Sequence, residues 1–299
     1  MNNNNKNTQT NRDENHFQIN HNMKFRYDLQ TFMNNARTLL NMGKFNPKHF
    51  KIVDLVISSN KLPGEFDGYK IVQITDIHLG QWLNKEKLDG VVQIINNLEP
   101  DCVVLTGDFL SYQANEYLNQ LTDSLSKLQP KDVTLSVLGN HDHWTNPEAV
   151  RWALRNAGVI NLDNDIYTLK RGSDKLQIAG VDSITVGYDD IKKVESKLDY
   201  DAPAIMLAHE PDFADTTAKL KPFILQLSGH SHGGQFELPG IRTPIRGRNF
   251  RKYPVDTYQV GDMIQYTNRG IGTNSFWFRI NSFYEITRIT LKTKKYHLN

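Results

Sequence analysis

The 299-residue sequence has a single cysteine, Cys102. A disulfide within the chain is therefore impossible, and a cysteine-rich zinc site is excluded. Cys102 lies in the apolar run Cys102-Val103-Val104-Leu105, which predicts a buried and unreactive thiol.

Long apolar segments and a dominant charge sign are also missing. No run approaches the roughly 20 apolar residues needed to cross a bilayer. The amino-terminal residues are polar and asparagine-rich, so they lack the apolar core of a secretory signal peptide. The formal net charge is +2, which gives no strong field for nucleic acid or for a membrane. We therefore expect a cytoplasmic protein without a nucleic-acid partner.

Three regions differ in composition. Residues 1–22 are low in aliphatic side chains and predict a disordered tail. Residues 23–48 form a second region, in which apolar positions at helical spacing alternate with lysine and arginine over 23–45. This amphipathic helix either packs on the rest of the protein or lies on an anionic membrane surface, on the inner face of the membrane. Residues 49–299 are predicted to form the main domain.

The main domain predicts an α/β fold. Apolar runs typical of strands occur at 51–57, 69–75, 102–106, 133–138, 204–208 and 223–228, and residues 262–291 look mostly β. Helical spacing is found at 85–98 and at about 114–128. Alternation of this kind indicates a sheet with helices packed on its faces.

Five polar motifs each follow one of these apolar runs. They are Asp76-Ile77-His78, Gly107-Asp108, Gly139-Asn140-His141-Asp142, Ala208-His209-Glu210-Pro211 and Gly229-His230-Ser231-His232. Ligands of α/β proteins bind beyond the carboxyl ends of strands, so all five motifs can meet along one rim. Each motif alone is also explained as a polar loop, a helix cap or a structural histidine. Their combination favours a metal centre.

The motifs supply two carboxylates, one amide and four imidazoles: Asp76, His78, Asp108, Asn140, His209, His230 and His232. Nitrogen and oxygen ligands without sulfur suit Mn, Fe, Zn, Ni or Co rather than Ca. Two such ions can share a hydroxide and clamp the attacking and leaving oxygens of a phosphoryl displacement. The sequence therefore predicts a hydrolase of phosphomonoester, phosphodiester or diphosphate bonds. His141 would contact the phosphate or protonate the leaving oxygen, and Asp142 would orient His141 by accepting its second N–H.

The order of these motifs resembles the calcineurin-like metallophosphoesterase superfamily. Leu62-Pro63, Gly68-Tyr69-Lys70-Ile71 and Arg269-Gly270-Ile271-Gly272-Thr273 are similar to its bacterial branch of membrane-associated, single-domain phosphohydrolases. The resemblance covers about residues 50–292. It implies a four-layer α/β/β/α sandwich of two mixed sheets.

The resemblance also implies a role for each motif residue. One metal ion would be held by Asp76, His78, Asp108 and His232, and a second by Asp108, Asn140, His209 and His230. His141 would face the phosphate and the leaving group, supported by Asp142. Members of this branch often carry an amino-terminal transmembrane segment or signal peptide, and this sequence departs from them there. We hypothesise that residues 23–45 take the place of that anchor.

The substrate is less well specified than the reaction. Arg242, Arg246 and Arg248 belong to a basic run that is either a solvated loop or a surface for phosphate or diphosphate, since arginine offers oxyanions bidentate geometry. We expect a phosphorylated small molecule or a nucleotide-lipid. A phosphomonoesterase, a phosphodiesterase and a UDP-2,3-diacylglucosamine diphosphatase of lipid A synthesis remain open.

Two functions of other classes are disfavoured. A catalytically inactive scaffold on the same fold would be expected to lose ligands, and none is missing here. A purely structural metal site needs only four ligands, which is fewer than the motifs supply.

Overall fold

The computed structural model describes residues 44–111, 114–236, 247–274 and 279–294. The predicted tail at 1–22 lies outside these residues, as does the predicted amphipathic helix up to residue 43. Within them, Phe45 packs against the core and stacks on Phe50 with ring centroids 5.9 Å apart. None of the helices described has the length and apolar character that a membrane span requires.

The first sheet has six strands and is mixed. Its spatial order is β1 (Phe50–Ser59), β12 (Tyr284–Thr293), β2 (Lys70–Ile74), β3 (Cys102–Thr106), β4 (Val133–Val137) and β5 (Ile160–Asn161). Strands β2 to β5 are parallel, whereas β12 runs antiparallel to β2 and parallel to β1. The carboxyl ends of β2, β3 and β4 therefore lie at the same edge.

The second sheet is also six-stranded and mixed. Its order is β10 (Asp256–Val260), β11 (Met263–Thr267), β9 (Phe223–Ser228), β8 (Ala204–Leu207), β7 (Asp174–Gly180) and β6 (Asp165–Arg171). The four central strands are parallel, and antiparallel strands close both sides. The loops after β8 and β9 thus leave the sheet at one edge.

Among the described residues, six α-helices connect the strands. They are α1 (Lys85–Asn97), α2 (Ala114–Leu125), α3 (Asn140–Thr145), α4 (Pro147–Asn156), α5 (Ile191–Glu195) and α6 (Ala214–Thr217). Short 3₁₀ turns occur at Pro47–His49, Gly64–Phe66, Pro211–Phe213 and His232–Gly234. Helix α1 begins after Asn84, whose side chain accepts the N–H of Lys87 at 3.0 Å, a side-chain cap for the first turn.

Three apolar clusters hold four layers together. One lies between the first sheet and its helices and includes Leu88, Val103 and Leu121. A second lies between the sheets and includes Val104, Ile205 and Leu225, and a third covers the far face of the second sheet at Val194, Met206 and Phe213. Both faces of the central strands are buried, which explains their continuous apolar runs. The α/β/β/α sandwich of two mixed sheets is confirmed.

Two predictions about local structure can be compared with the fold. Cys102 is buried in β3 between the sheets, and burial raises the pKa of its thiol, as expected of an unreactive cysteine. The prediction of mostly β structure over 262–291 is wrong for its middle part. Between β11 and β12, the described residues contain only an isolated pairing of Ile280 with Phe236. A loop that opens with Asn268 and Arg269 replaces the expected strand and approaches the polar motifs.

Candidate metal centre

The five motifs follow β2, β3, β4, β8 and β9, so three come from the first sheet and two from the second. Five of their residues have a left-handed backbone: Asp76 (φ 50°), His78 (45°), Asp108 (56°), His230 (69°) and His232 (52°). This region costs a non-glycine residue about 1–3 kcal/mol and is concentrated at functional sites. These five residues therefore adopt an unfavourable backbone conformation, which directs their side chains toward each other.

The first group of ligand atoms comes from Asp76, His78 and His232, which are all buried. His232 Nε2 lies 3.2 Å from Asp76 Oδ1 and 3.1 Å from His78 Nε2. His78 Nε2 lies 4.0 Å from the same Asp76 oxygen. Two ring nitrogens and a carboxylate oxygen thus converge on one point.

The second group comes from Asp108, His209 and His230. His209 Nε2 lies 3.2 Å from Asp108 Oδ2 and 3.2 Å from His230 Nδ1. Asp108 Oδ2 is also 3.5 Å from His78 Nε2, in the first group. A single carboxylate therefore connects the two groups.

Two buried oxygens test whether this donor set fits a metal ion. Asp76 Oδ1 and Asn140 Oδ1 have no hydrogen-bond partner among the described residues. Leaving such atoms buried and unmet costs about 1–3 kcal/mol each. Cations bound at these oxygens and at the facing imidazole nitrogens would satisfy them, so the residues fit metal binding.

The outer nitrogens of three imidazoles face oxygen atoms. His209 Nδ1 lies 2.7 Å from Thr106 O, His230 Nε2 lies 3.3 Å from Arg248 O, and His78 Nδ1 lies 2.9 Å from Ser111 Oγ. A proton on each outer nitrogen leaves the lone pair of the inner nitrogen directed at the centre. This is the usual way in which a histidine is oriented for a metal.

The fourth imidazole is different because its outer nitrogen faces a cation. Arg279 Nη2 lies 3.4 Å from His232 Nδ1. The same guanidinium donates to Gly272 O at 2.6 Å and to Phe283 O at 3.1 Å, and it lies 4.8 Å from the ring centroid of Tyr284. Burial lowers the pKa of Arg279 to about 10. Arg279 thus joins the loop after β11 to His232.

Burial and neighbouring charges shift the pKa values of the ligand side chains. Burial raises the pKa of Asp76 to about 7 and lowers the pKa of His230 to about 4. Burial acts in the same upward sense on Asp108, but the adjacent His209 and His141 outweigh it and hold the Asp108 pKa well below its usual range. Bound cations favour ionised carboxylates and unprotonated imidazoles, so metal binding and proton release are coupled here.

His141 lies beside the connecting carboxylate. One of its ring nitrogens is within 4.8 Å of ligand atoms of both Asp108 and His78. Its Nδ1 is 3.4 Å from Ser111 O, and its Nε2 is 3.4 Å from Asn274 Nδ2. His141 is therefore a buried residue at the edge of the centre.

The hydrogen bonds of Asp142 differ from the predicted one, in which Asp142 accepts an N–H of the His141 ring. Its two oxygens accept the backbone N–H groups of Asp108 at 2.9 Å, Phe109 at 2.8 Å and Gly139 at 2.9 Å. The predicted hydrogen bond from the His141 ring is replaced by these amides, because both carboxylate oxygens point into the turn after β3. Asp142 thereby holds the loop of Asp108 against the loop of Asn140.

Arg248 is one of the three arginines predicted to contact phosphate and lies among the described residues, whereas Arg242 and Arg246 lie outside them. The backbone carbonyl oxygen of Arg248 lies 3.3 Å from His230 Nε2, and the Arg248 side chain is exposed. The next residues are anchored by Asp212, which accepts the N–H groups of Arg251 at 2.8 Å and Lys252 at 2.9 Å. The backbone of Arg248 is thus fixed next to the second group.

The comparisons with known proteins agree with this geometry. A family model described as calcineurin-like phosphoesterase matches residues 69–234. The chain belongs to this family. It is 37% identical to the uncharacterized metallophosphoesterase YkuE of Bacillus subtilis, over 83% of this chain and 87% of that one.

Two further relatives have more specific names. The phosphodiesterase YaeI of Escherichia coli is 25% identical, over 75% of this chain and 82% of its own length. The UDP-2,3-diacylglucosamine pyrophosphatase LpxG of Chlamydia muridarum is 28% identical, over 75% of this chain and 84% of its own. As a calcineurin-like phosphoesterase, this protein is a metal-dependent hydrolase of phosphate esters.

Three residues of this phosphoesterase were missed in the sequence. Ser111 contacts His78, Asn274 contacts His141, and Arg279 contacts His232. Asn274 directly follows the run Arg269–Thr273 that supports the family resemblance, which was an available signal. Ser111 and Arg279 carry no such signal, because their contacts join loops that are distant in sequence.

Proposed function

We propose that this phosphoesterase works with two divalent metal ions. Asp76, His78 and His232 would hold the first, Asn140, His209 and His230 the second, and Asp108 both. The strongest support is the position of Asp108 Oδ2, which is 3.5 Å from His78 Nε2 and 3.2 Å from His209 Nε2. One oxygen atom thus borders both groups.

The donor set is compatible with Mn, Fe, Zn, Ni or Co. When bound, two such ions polarise a phosphoryl group and lower the pKa of water. The chain itself orients the ligands: carbonyl oxygens face the outer nitrogens of His209 and His230, and Asp142 secures the turn that carries Asp108. This pre-organisation lets the ligands act without rearranging during the reaction.

His141 is proposed to serve the leaving group. Its Nδ1 is directed at Ser111 O and its Nε2 lies on the side of Asn274, and Nε2 is the nitrogen that we propose faces the ester. A proton carried on Nε2 would pass to the departing oxygen, which is general acid catalysis. Asp142 acts on this step only through the position of the loop.

A phosphodiester is the substrate class that we favour. The E. coli relative is named a phosphodiesterase and aligns with three quarters of this chain. Arg248, fixed beside His230 by its own carbonyl, is proposed to contact a phosphate oxygen of the substrate. Arg242 and Arg246 remain predictions for the same role.

A nucleotide-lipid diphosphate is the second candidate. It is supported by the 28% identity with the Chlamydia UDP-2,3-diacylglucosamine pyrophosphatase and by the basic run predicted at 242–252. Membrane contact through residues 23–45, and a cytoplasmic location, remain proposals from the sequence. Deletion of residues 1–43 tests the first of these: unchanged co-sedimentation with anionic vesicles would contradict it.

The proposed function is tested with bis-p-nitrophenyl phosphate and p-nitrophenyl phosphate in the presence of Mn²⁺. Asp108→Asn removes the charge that borders both groups, whereas Asp201→Asn changes an exposed aspartate before β8, at the opposite end of that strand from His209. We expect metal-dependent turnover, faster with the diester, that Asp108→Asn abolishes and Asp201→Asn leaves intact.

Metal content distinguishes the remaining outcomes. Two bound ions per chain without hydrolysis of either ester would favour the nucleotide-lipid diphosphate. One tightly bound ion per chain in the active wild type would contradict the dinuclear proposal. Turnover that survives Asp108→Asn would place the reaction elsewhere in the molecule.

A further inference from the structure

Helix α3 presents an exposed tryptophan next to His141. Trp144 is 39% exposed, whereas His141 is 2% exposed, and their ring centroids are 4.8 Å apart with the planes at 59°. The two residues are three apart on the helix, so their side chains lie on the same face. One surface of the indole thus rests on the proposed general acid, and another is open to solvent.

The helical segment that carries the indole is held by the same contacts that order the metal centre. Thr145 Oγ1 donates to His141 O at 2.7 Å and lies 3.2 Å from Ser111 O. Asp142, on the preceding turn, binds the backbone of the Asp108 loop. Trp144 is therefore held on a rigid segment, and a ligand that binds it need not order a flexible loop.

A second exposed ring lies against the same helix. Tyr188 is 61% exposed and stacks on His143 with centroids 4.9 Å apart and planes at 11°. His143 Nε2 is 2.6 Å from Asp182 Oδ1, which fixes its ring. Two consecutive residues of α3 thus take part in aromatic contacts: His143 with the exposed Tyr188, and the exposed Trp144 with the buried His141.

Single exposed apolar residues are ordinary on protein surfaces, and Trp152 on α4, which is 51% exposed, is one of them. Trp144 differs because it contacts a residue of the centre. In the proposed function His141 faces the leaving group, so the group attached to the leaving oxygen would lie close to the indole that packs on His141. An indole face is flat, rigid and only partly polar, and it can stack on a planar aromatic group such as a nucleobase.

We propose that Trp144 forms a stacking subsite for a nucleobase or a similar planar aromatic group on the leaving side of the phosphoester. This inference rests on the proposed function, since it uses His141 as the residue that faces the leaving group. It adds a preference for nucleotide-derived diesters over simple alkyl ones. Trp144 is a specificity-determining residue in this account.

The test measures binding, so that it does not depend on turnover. The dissociation constants of adenosine 5′-monophosphate and hexyl phosphate are determined by titration calorimetry on the full chain in Mn²⁺. The wild type, Trp144→Ala, Trp144→Phe and the matched control Trp152→Ala are compared, with thermal melts to verify folding. Loss of one stacked base is expected to weaken binding by about tenfold or more.

The expected result is specific to one ligand and one position. Trp144→Ala should raise the dissociation constant of the nucleotide about tenfold and leave that of hexyl phosphate within about twofold. Trp144→Phe should restore most of the lost affinity, and Trp152→Ala should leave both dissociation constants unchanged. A nucleotide that binds wild type no better than hexyl phosphate overturns the proposal. If Trp144→Ala weakens the binding of hexyl phosphate instead of the nucleotide, the proposal is also overturned, and the result indicates a surface for an acyl chain. Failure of the dinuclear function is detected separately, as absent hydrolysis of bis-p-nitrophenyl phosphate.

Discussion

The two groups of ligand atoms differ in what lies behind their imidazoles. Around Asp108, the outer nitrogens of His209 and His230 face backbone carbonyls, Thr106 O and Arg248 O. Around Asp76, the corresponding partners are side chains, the Ser111 hydroxyl and the Arg279 guanidinium. Backbone partners are independent of residue type, whereas side-chain partners can be changed by one substitution. The Asp76 group is therefore the more adjustable half of the centre.

The largest effect is expected from removing one imidazole from each group. His209→Ala and His232→Ala should each lower turnover by about 10²- to 10³-fold, because each variant disrupts one half of a centre that acts as a unit. Each should retain about one of the two proposed ions, as measured by elemental analysis. His49→Ala, an exposed histidine on the surface, is the control. Loss of both ions in either variant would show that the halves are not separable.

The next effect concerns the carboxylate that the groups share. A Cβ atom at Gly139 would overlap the carboxylate of Asp108 and its backbone nitrogen. Gly139→Ala should therefore displace Asp108 and reduce turnover by about 10²-fold, the scale of a displacement near 1 Å. Gly64→Ala is the matched control, since its Cβ would meet no atom within 4 Å. Equal activity of the two variants would contradict the tight approach of the two loops.

A smaller effect should be confined to the Asp76 group. Ser111→Ala removes the oxygen that faces His78 Nδ1 at 2.9 Å. We expect one step of Mn²⁺ binding to weaken by about tenfold, the lower range for partners of metal-bound histidines, and the other step to stay unchanged. Calorimetric titration of the metal-free protein separates the steps. Equal weakening of both steps would mean that Ser111 supports the whole centre.

The smallest effect is expected at the exposed Arg248. Arg248→Gln should raise the KM for bis-p-nitrophenyl phosphate by a few-fold and leave kcat within about twofold, because exposed charges contribute only about 0.2–1 kcal/mol. The increase should shrink at high salt, where the charge is screened. A change in kcat alone would place Arg248 among the residues that act on the reacting atoms.

The strands that precede the motifs could be predicted because both of their faces are buried. Residues such as Val103 and Val104 in β3 serve two different apolar clusters, so the run is apolar without interruption. The prediction of β structure was wrong between β11 and β12 because the apolar residues there belong to a loop. Ile271 there is buried in the core although it lies in no strand.

The residues of the metal centre could be predicted from the sequence, whereas the hydrogen bonds between its loops could not. The ligand types follow from the motifs, but the partner of Asp142 does not. Adjacency in sequence suggested His141, whereas the carboxylate accepts amides of Asp108 and Phe109, more than thirty residues earlier. Such contacts depend on how two loops meet in space. The assignment of individual ligands to individual ions stays a prediction.

The position of β12 has a consequence for how the molecule is made. This strand occupies residues 284–293 and yet lies between β1 and β2, which it pairs with on both sides. Until it has left the ribosome, β2 has no neighbour on that side, and the loop of Asp76 lacks part of its support. Contacts between such distant residues form slowly, since loop closure must precede them. Residues 284–293 must thus be translated before the site can assemble, and a truncation before residue 284 would remove an interior strand.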